Sequence, residues 1–101
     1  MNIIKLVEAI ENRPGMYIDV DSFQSLTFFI QGYLFARTQL GVSDKNDILF
    51  TDQFYYWLKS KNTYLEDGES WGNLIEQISA KEGTSPYVVL FREFKSFFYE
   101  K

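Results

Sequence analysis

The chain has 101 residues, with 14 acidic and 10 basic side chains for a net charge of -4, and it contains neither cysteine nor histidine. That length supports one hydrophobic core, so a single domain over residues 1–101 is expected, and the 46% hydrophobic content with 19% aromatics argues for a folded globule. Without Cys and His there is no disulfide framework, thiolate site or imidazole base, and the acidic balance disfavours a nucleic-acid backbone and mildly favours a basic protein partner, with ordinary solubility as the alternative account of it.

Ile3, Leu6, Val7 and Ile10 recur at i, i+3, i+4 and i+7, which predicts a first helix from about Asn2 to Asn12. Pro14 ends it, because the residue before a proline is pushed out of the α region. Pro14-Gly15 suits the centre of a type II turn, so Arg13 to Met16 redirects the chain. Residues 16–20 then run extended.

Asp21 or Ser22 caps a second helix, with Gln24 three residues after Asp21 resembling a capping box, and Gly41 supplies the stop. Its apolar residues, Phe23, Leu26, Phe28, Phe29, Ile30, Tyr33, Leu34, Phe35 and Leu40, fall on more than one face. This marks it as the central, most buried helix. Gly32 in its middle costs about 1 kcal/mol of helix propensity relative to Ala, so close approach of a neighbouring helix is expected there.

Val42 to Leu49 reads as a loop. Thr51 then caps a third helix running to about Lys61, with Phe50 stapled onto Tyr55, Phe54, Trp57 and Leu58 inward, and Lys59 and Lys61 where the helix dipole favours cations. After a second loop, Asn62 to Glu69, a fourth helix begins near Ser70, carries Trp71, Leu74, Ile75 and Ile78 on one stripe, and ends at Gly83. Ser85 and Pro86, a cap followed by a proline at the first helical position, open a fifth. Its inner face is Tyr87, Leu90, Phe91, Phe94 and Phe98, with Arg92, Glu93 and Lys95 outside. The expected fold is therefore an all-α, single-domain bundle of about five helices with an extended segment at residues 16–20.

No run approaches the roughly 18 apolar residues of a membrane span, since Phe23 to Leu40 is interrupted by Gln24, Ser25, Thr27, Gln31 and Arg37. The N-terminus lacks the pattern of a signal peptide, so cytoplasmic residence is expected. Asp19 and Asp21 open no EF-hand, because Phe23 and Ile30 occupy the fifth and twelfth positions where the loop needs oxygen ligands. There is no Ser-x-x-Lys, no Gly-x-Ser-x-Gly and no glycine-rich phosphate loop. No metal, no cofactor and no enzymatic activity are expected. The aromatic-rich third and fifth helices carry mixed charge without clustered Arg, which argues against nucleic acid as well.

Charge is nevertheless unevenly spread. Between Asn62 and Trp71 lie Glu66, Asp67 and Glu69, no base, and aromatic ends at Tyr64 and Trp71. An acidic anchor for a basic partner has this form, with carboxylates steering and aromatics supplying burial; the alternative is a solvated loop whose carboxylates favour the following helix start. Asp44, Asp47 and Asp52, diluted by Lys45, form a second acidic stretch.

Arg13-Pro14-Gly15-Met16-Tyr17-Ile18, preceded by Val7-Glu8-Ala9-Ile10, resembles the opening of the ATPase domain of DNA gyrase B and its topoisomerase relatives over about a dozen residues. That family's next helix carries a catalytic Glu and a magnesium-binding Asn, whereas Ser22 to Gly41 here contains no Asp, Glu or Asn, and the match is rejected. A second resemblance covers nearly the whole chain. The order of a short helix, Arg13-Pro14-Gly15-Met16-Tyr17, a Ser22-x-x-x-Leu26 helix with Gly32-Tyr33 and Ala36, Phe54-Trp57-Leu58, Ser70-Trp71 with Ile75 and Ile78, and a Phe-rich end is similar to small bacterial immunity proteins of polymorphic and contact-dependent toxin systems. It departs from their commonest form in having Asp19 where a Gly often follows the Tyr-aliphatic pair.

This resemblance implies a stoichiometric inhibitor, monomeric or weakly dimeric, that binds a cognate, basic toxin domain of nuclease type. Candidate contacts are Tyr64, Glu66, Asp67, Glu69 and Trp71, with Arg13, Pro14, Gly15, Met16 and Tyr17 as a structural motif. The alternative is a small helical adaptor or self-associating module whose surplus aromatics form a homo-oligomeric surface.

Overall fold

The computed structural model describes residues 1–13 and 22–99. The turn expected at Pro14, Gly15, Met16 and Tyr17 and the extended segment over 16–20 lie outside these. Among the described residues the fold is all-α, with five helices: α1 (Ile3–Asn12), α2 (Phe23–Gln39), α3 (Lys45–Lys61), α4 (Trp71–Glu82) and α5 (Pro86–Tyr99). They fall into two compact units, Met1–Asp52 and Gln53–Lys101, with the boundary inside α3.

In the first unit, α1 buries the expected stripe of Ile3, Leu6, Val7 and Ile10. Asn2 caps it, its side-chain oxygen accepting from the Lys5 N–H at 3.1 Å, and the Arg13 N–H closes the other end on the Ala9 carbonyl at 3.0 Å. α2 is capped by Ser22, whose hydroxyl accepts from the Ser25 N–H at 3.2 Å. It ends as Gly41 predicts. Gly41 takes a φ of 70°, the Gly41 N–H donates to Thr38 and the Val42 N–H to Arg37, so the last carbonyls are satisfied by a Schellman arrangement.

Two expectations for α2 are corrected. Its buried residues are only Phe23, Leu26, Thr27, Ile30 and Leu34, a single stripe, while Phe28, Phe35 and Leu40 are exposed. Apolar residues on several faces therefore do not mark a fully buried helix here. Nor does a neighbour crowd Gly32, where an added Cβ would meet no atom within 4 Å.

The start of α3 is also corrected, from Thr51 to Lys45. Asp44 is the cap: its Oδ1 accepts from the Asn46 N–H at 3.0 Å and the Asp47 N–H at 2.9 Å, while Asp47 Oδ2 accepts from the Asp44 N–H at 3.0 Å. This reciprocal box turns most of the expected loop into helix. Phe50, read as a staple ahead of the helix, is instead 1% exposed within it. Two of the three acids of the second acidic stretch thereby serve structure, since Asp47 is 1% exposed and Asp44 caps, while Asp52 is exposed.

The Asp47 N–H that Asp44 accepts, followed by the Asn2 amide, holds the Asp44 carboxyl below its ordinary value. A carboxyl whose folded pKa is depressed contributes stability that is present above its unfolded pKa of about 4 and is lost as pH falls through the folded value. Asp44→Asn retains capping ability but does not titrate. We expect the wild type to exceed this variant in urea stability at neutral pH, with the gap closing as pH falls below about 4. A gap independent of pH would show that the Asp44 charge contributes nothing.

The second unit buries Phe54, Leu58, Leu65, Trp71, Leu74, Ile75, Ile78, Val89, Leu90 and Phe94. Neighbouring helices α4 and α5 are separated by a stop at Gly83, whose φ is 68° and whose N–H donates to Ser79 at 2.9 Å. Ser85 then caps α5, its hydroxyl accepting from the Tyr87 N–H at 3.2 Å. On α5, Leu90 and Phe94 point inward as expected, whereas Tyr87, Phe91 and Phe98 are half-buried. Trp57 of α3, expected inward, is likewise half-buried. Glu93, expected outside, is buried. It lies 3.5 Å from Lys61 and 3.4 Å from Arg92, and this pairing allows a carboxylate to leave solvent.

Candidate partner-binding loop

The loop between α3 and α4 is short of apolar residues, and its backbone groups must find partners outside regular structure. They find them on the flanking helices. The Asn62 N–H continues α3 by donating to Leu58, and the Leu65 N–H closes on Asn62, both at 3.0 Å, while Leu65 itself is buried as the apolar peg. Gln77 of α4 then holds both backbone groups of Glu66, its oxygen accepting from the N–H at 2.9 Å and its amide donating to the carbonyl at 3.0 Å.

The Tyr55 hydroxyl of α3 does the same for Gly68, accepting from its N–H at 3.1 Å and donating to its carbonyl at 3.2 Å. Gly68 is also fitted by size. A Cβ there would fall 2.2 Å from the Asn73 side-chain oxygen, which already accepts from Gln77 at 3.0 Å. The loop is thus fixed at successive points by side chains of α3 and α4. None of this was visible from its composition, because the anchors Tyr55, Asn73 and Gln77 lie outside it.

The five candidate contacts of this region differ in their surroundings. Glu66 and Glu69 are exposed and point no carboxylate into the fold. Asp67 is exposed but pairs with Lys59, whose ammonium holds the Asp67 carboxyl below its usual range. Tyr64 is 44% exposed, with the Lys81 ammonium 4.8 Å from its ring centroid, and burial pushes its hydroxyl pKa upward. Trp71, expected as an aromatic anchor for a partner, is only 8% exposed and sits edge-on to Phe54 at 5.9 Å. It supports the base of the loop from the core.

Folding also brings in two bases that the sequence of the loop does not contain, Lys59 and Lys81. The outward negative charge is therefore carried by Glu66 and Glu69. Arg13 of the Arg13-Pro14-Gly15-Met16-Tyr17 motif is exposed at the end of α1, and the remaining members of the motif lie outside the described residues.

A shallow depression of about 220 Å³ lies elsewhere, in the first unit, lined by Thr38, Ser43, Asp47, Ile48, Thr51 and Asp52. Of its two carboxylates, Asp47 is already taken up by the Ile3 and Asp44 N–H groups and by Arg37, and Asp52 is exposed. Among the described residues no three His, Cys, Asp or Glu side chains converge as a metal site, and no helix is long and apolar enough to cross a membrane. Comparison of the chain with family models, curated proteins and solved structures finds no match.

Proposed function

We propose that the chain is a cytoplasmic immunity protein, a stoichiometric binder with no catalysis of its own that neutralises a basic toxin domain through the loop between α3 and α4. The observation that supports this reading is the way Tyr55 and Gln77 hold the Gly68 and Glu66 backbones while the Glu66 and Glu69 side chains stay exposed. Charges on a preorganised backbone steer a partner of opposite sign without an ordering cost at docking. Tyr64, half-covered by Lys81, supplies aromatic contact area beside them. Asp67 contributes less, because a partner's base must compete with Lys59 for it.

The test is co-expression with any toxin domain found encoded beside this gene, together with association kinetics on the purified pair. Glu66→Lys combined with Glu69→Lys is expected to slow association about 10- to 100-fold at low salt, to flatten its salt dependence and to lose protection of the cell. Both residues are exposed, so the variant should stay folded, with a stability loss of no more than about 1 kcal/mol from the acid removed ahead of α4. Unchanged protection by the double variant would remove the loop from the binding surface. Failure of the wild type to protect or to bind would remove the immunity reading altogether.

A further inference from the structure

α2 exposes a stripe at helical spacing, Ser25, Phe28, Gly32, Phe35, Ala36 and Gln39, that carries no charge. Its two large members are conspicuous, with Phe28 62% and Phe35 66% exposed. The only charged residue of the helix, Arg37, is turned towards Asp47, with its Nε at 2.8 Å from the carboxylate. Between the two rings lies Gly32, which costs helix stability and serves no close contact among the described residues. A bare backbone flanked one turn to either side by exposed aromatic rings is suited to a second helix crossing at short range, with rings closing beside it.

We propose that this face of α2 is a self-association surface, on which a second copy of the chain packs antiparallel about a two-fold axis at Gly32. The stripe is self-complementary in that sense. Phe28 precedes Gly32 by four residues and Phe35 follows it by three, so the axis sets Phe28 of each copy beside Phe35 of the other. Each copy carries a net charge of -4, and the stripe itself brings no carboxylate to the contact.

The available area sets the strength. Two-thirds-exposed Phe rings offer about 130 Å² each, and with the small residues between them the stripe offers about 400 Å² per copy. The total of about 800 Å² falls short of the roughly 1,200 Å² of stable complexes, so the dimer is weak and transient. The surface is independent of the toxin reading, since it uses none of the residues of the α3–α4 loop.

Sedimentation equilibrium on the full chain, from about 1 μM to about 1 mM, tests this directly. The expected result is a monomer–dimer equilibrium that Phe28→Lys weakens at least about tenfold without lowering the thermal midpoint of the dilute monomer. Gly32→Ala is expected to raise that midpoint while also weakening the dimer, opposite signs that a merely structural glycine would not give. The absence of Cys allows a geometric readout. In an equimolar mixture of Ser25→Cys and Gln39→Cys, mild oxidation should give the mixed disulfide, because an axis at Gly32 pairs these positions, while neither variant alone crosslinks appreciably. A monomer across the whole range overturns the proposal, as does homodisulfide formation by either variant alone, which would mean a parallel pairing.

Discussion

Replacing Asp47 by Ala should cost about 3 kcal/mol of folding stability, read as a lowered urea midpoint with an unchanged slope. Asp47 is 1% exposed and its two oxygens hold together three segments of the first unit. Oδ1 accepts from the Ile3 N–H at 2.8 Å, tying in the start of α1. Oδ2 accepts from Arg37 Nε at 2.8 Å, tying in the end of α2, and from the Asp44 N–H at 3.0 Å, closing the cap of α3. An Ala would leave a buried N–H and a desolvated guanidinium without their acceptor. Loss of one partner of a buried pair costs about 3–5 kcal/mol. The lower end applies because Arg37 is 18% exposed and keeps its bond to the Val42 carbonyl at 2.8 Å.

Asp47→Asn retains one acceptor oxygen but sets an amide N–H against a donor and removes the charge opposite Arg37, so it should be destabilising as well. Asp52→Ala, at an exposed position of the same helix, should be nearly neutral, within about 0.5 kcal/mol. A loss below about 1 kcal/mol for Asp47→Ala would mean that water replaces the carboxylate and that these segments are joined by apolar contact alone.

Much of the helical architecture is legible in the sequence because it is locally encoded. The α1 stripe, the Ser22 and Ser85-Pro86 starts and the Gly41 and Gly83 stops each depend on residues within a turn or two of one another. The start of α3 had a local signal too, Asp44 with Asp47 three residues later. The apolar cluster that begins at Phe50 obscures it, because the exposed Ile48, Thr51 and Asp52 give the first turns of the helix no clean period.

What the sequence does not carry is which charges become partners across distance. Lys59 reaches Asp67, Lys81 covers Tyr64, and Lys61 draws Glu93 inward; each meeting depends on tertiary placement. Hydrophobic count also misleads when it is taken for burial. Phe28 and Phe35 of α2 belong to the same composition as Phe50 and Phe54 of α3, and only the latter two are covered.

Phe54→Ala is the second substitution with a large expected effect, about 3–5 kcal/mol, and it bears on the candidate site as well as on the core. The ring is fully buried, stacked on Trp57 at 5.9 Å, edge-on to Trp71 at 5.9 Å and edge-on to Phe97 at 5.3 Å. Truncation removes transfer free energy and leaves a cavity among three aromatic rings whose bulk prevents full collapse. Trp71 begins α4 directly after the loop, so slackness at Phe54 reaches the candidate surface through Trp71.

Tyr55→Phe separates the two contributions. It leaves the core intact but strips the Gly68 N–H and carbonyl of their partner, at a cost of about 1–2 kcal/mol, and frees that part of the loop. If the loop binds by virtue of being held in place, Tyr55→Phe should weaken toxin binding although no residue offered to the partner has changed. Hydrogen exchange at the Gly68 amide should accelerate in both variants, with the global unfolding midpoint falling far more in Phe54→Ala. A Tyr55→Phe protein with a faster-exchanging Gly68 amide and full affinity would show that anchoring of the Gly68 backbone is irrelevant to recognition. The binding energy would then have to come from the exposed side chains themselves.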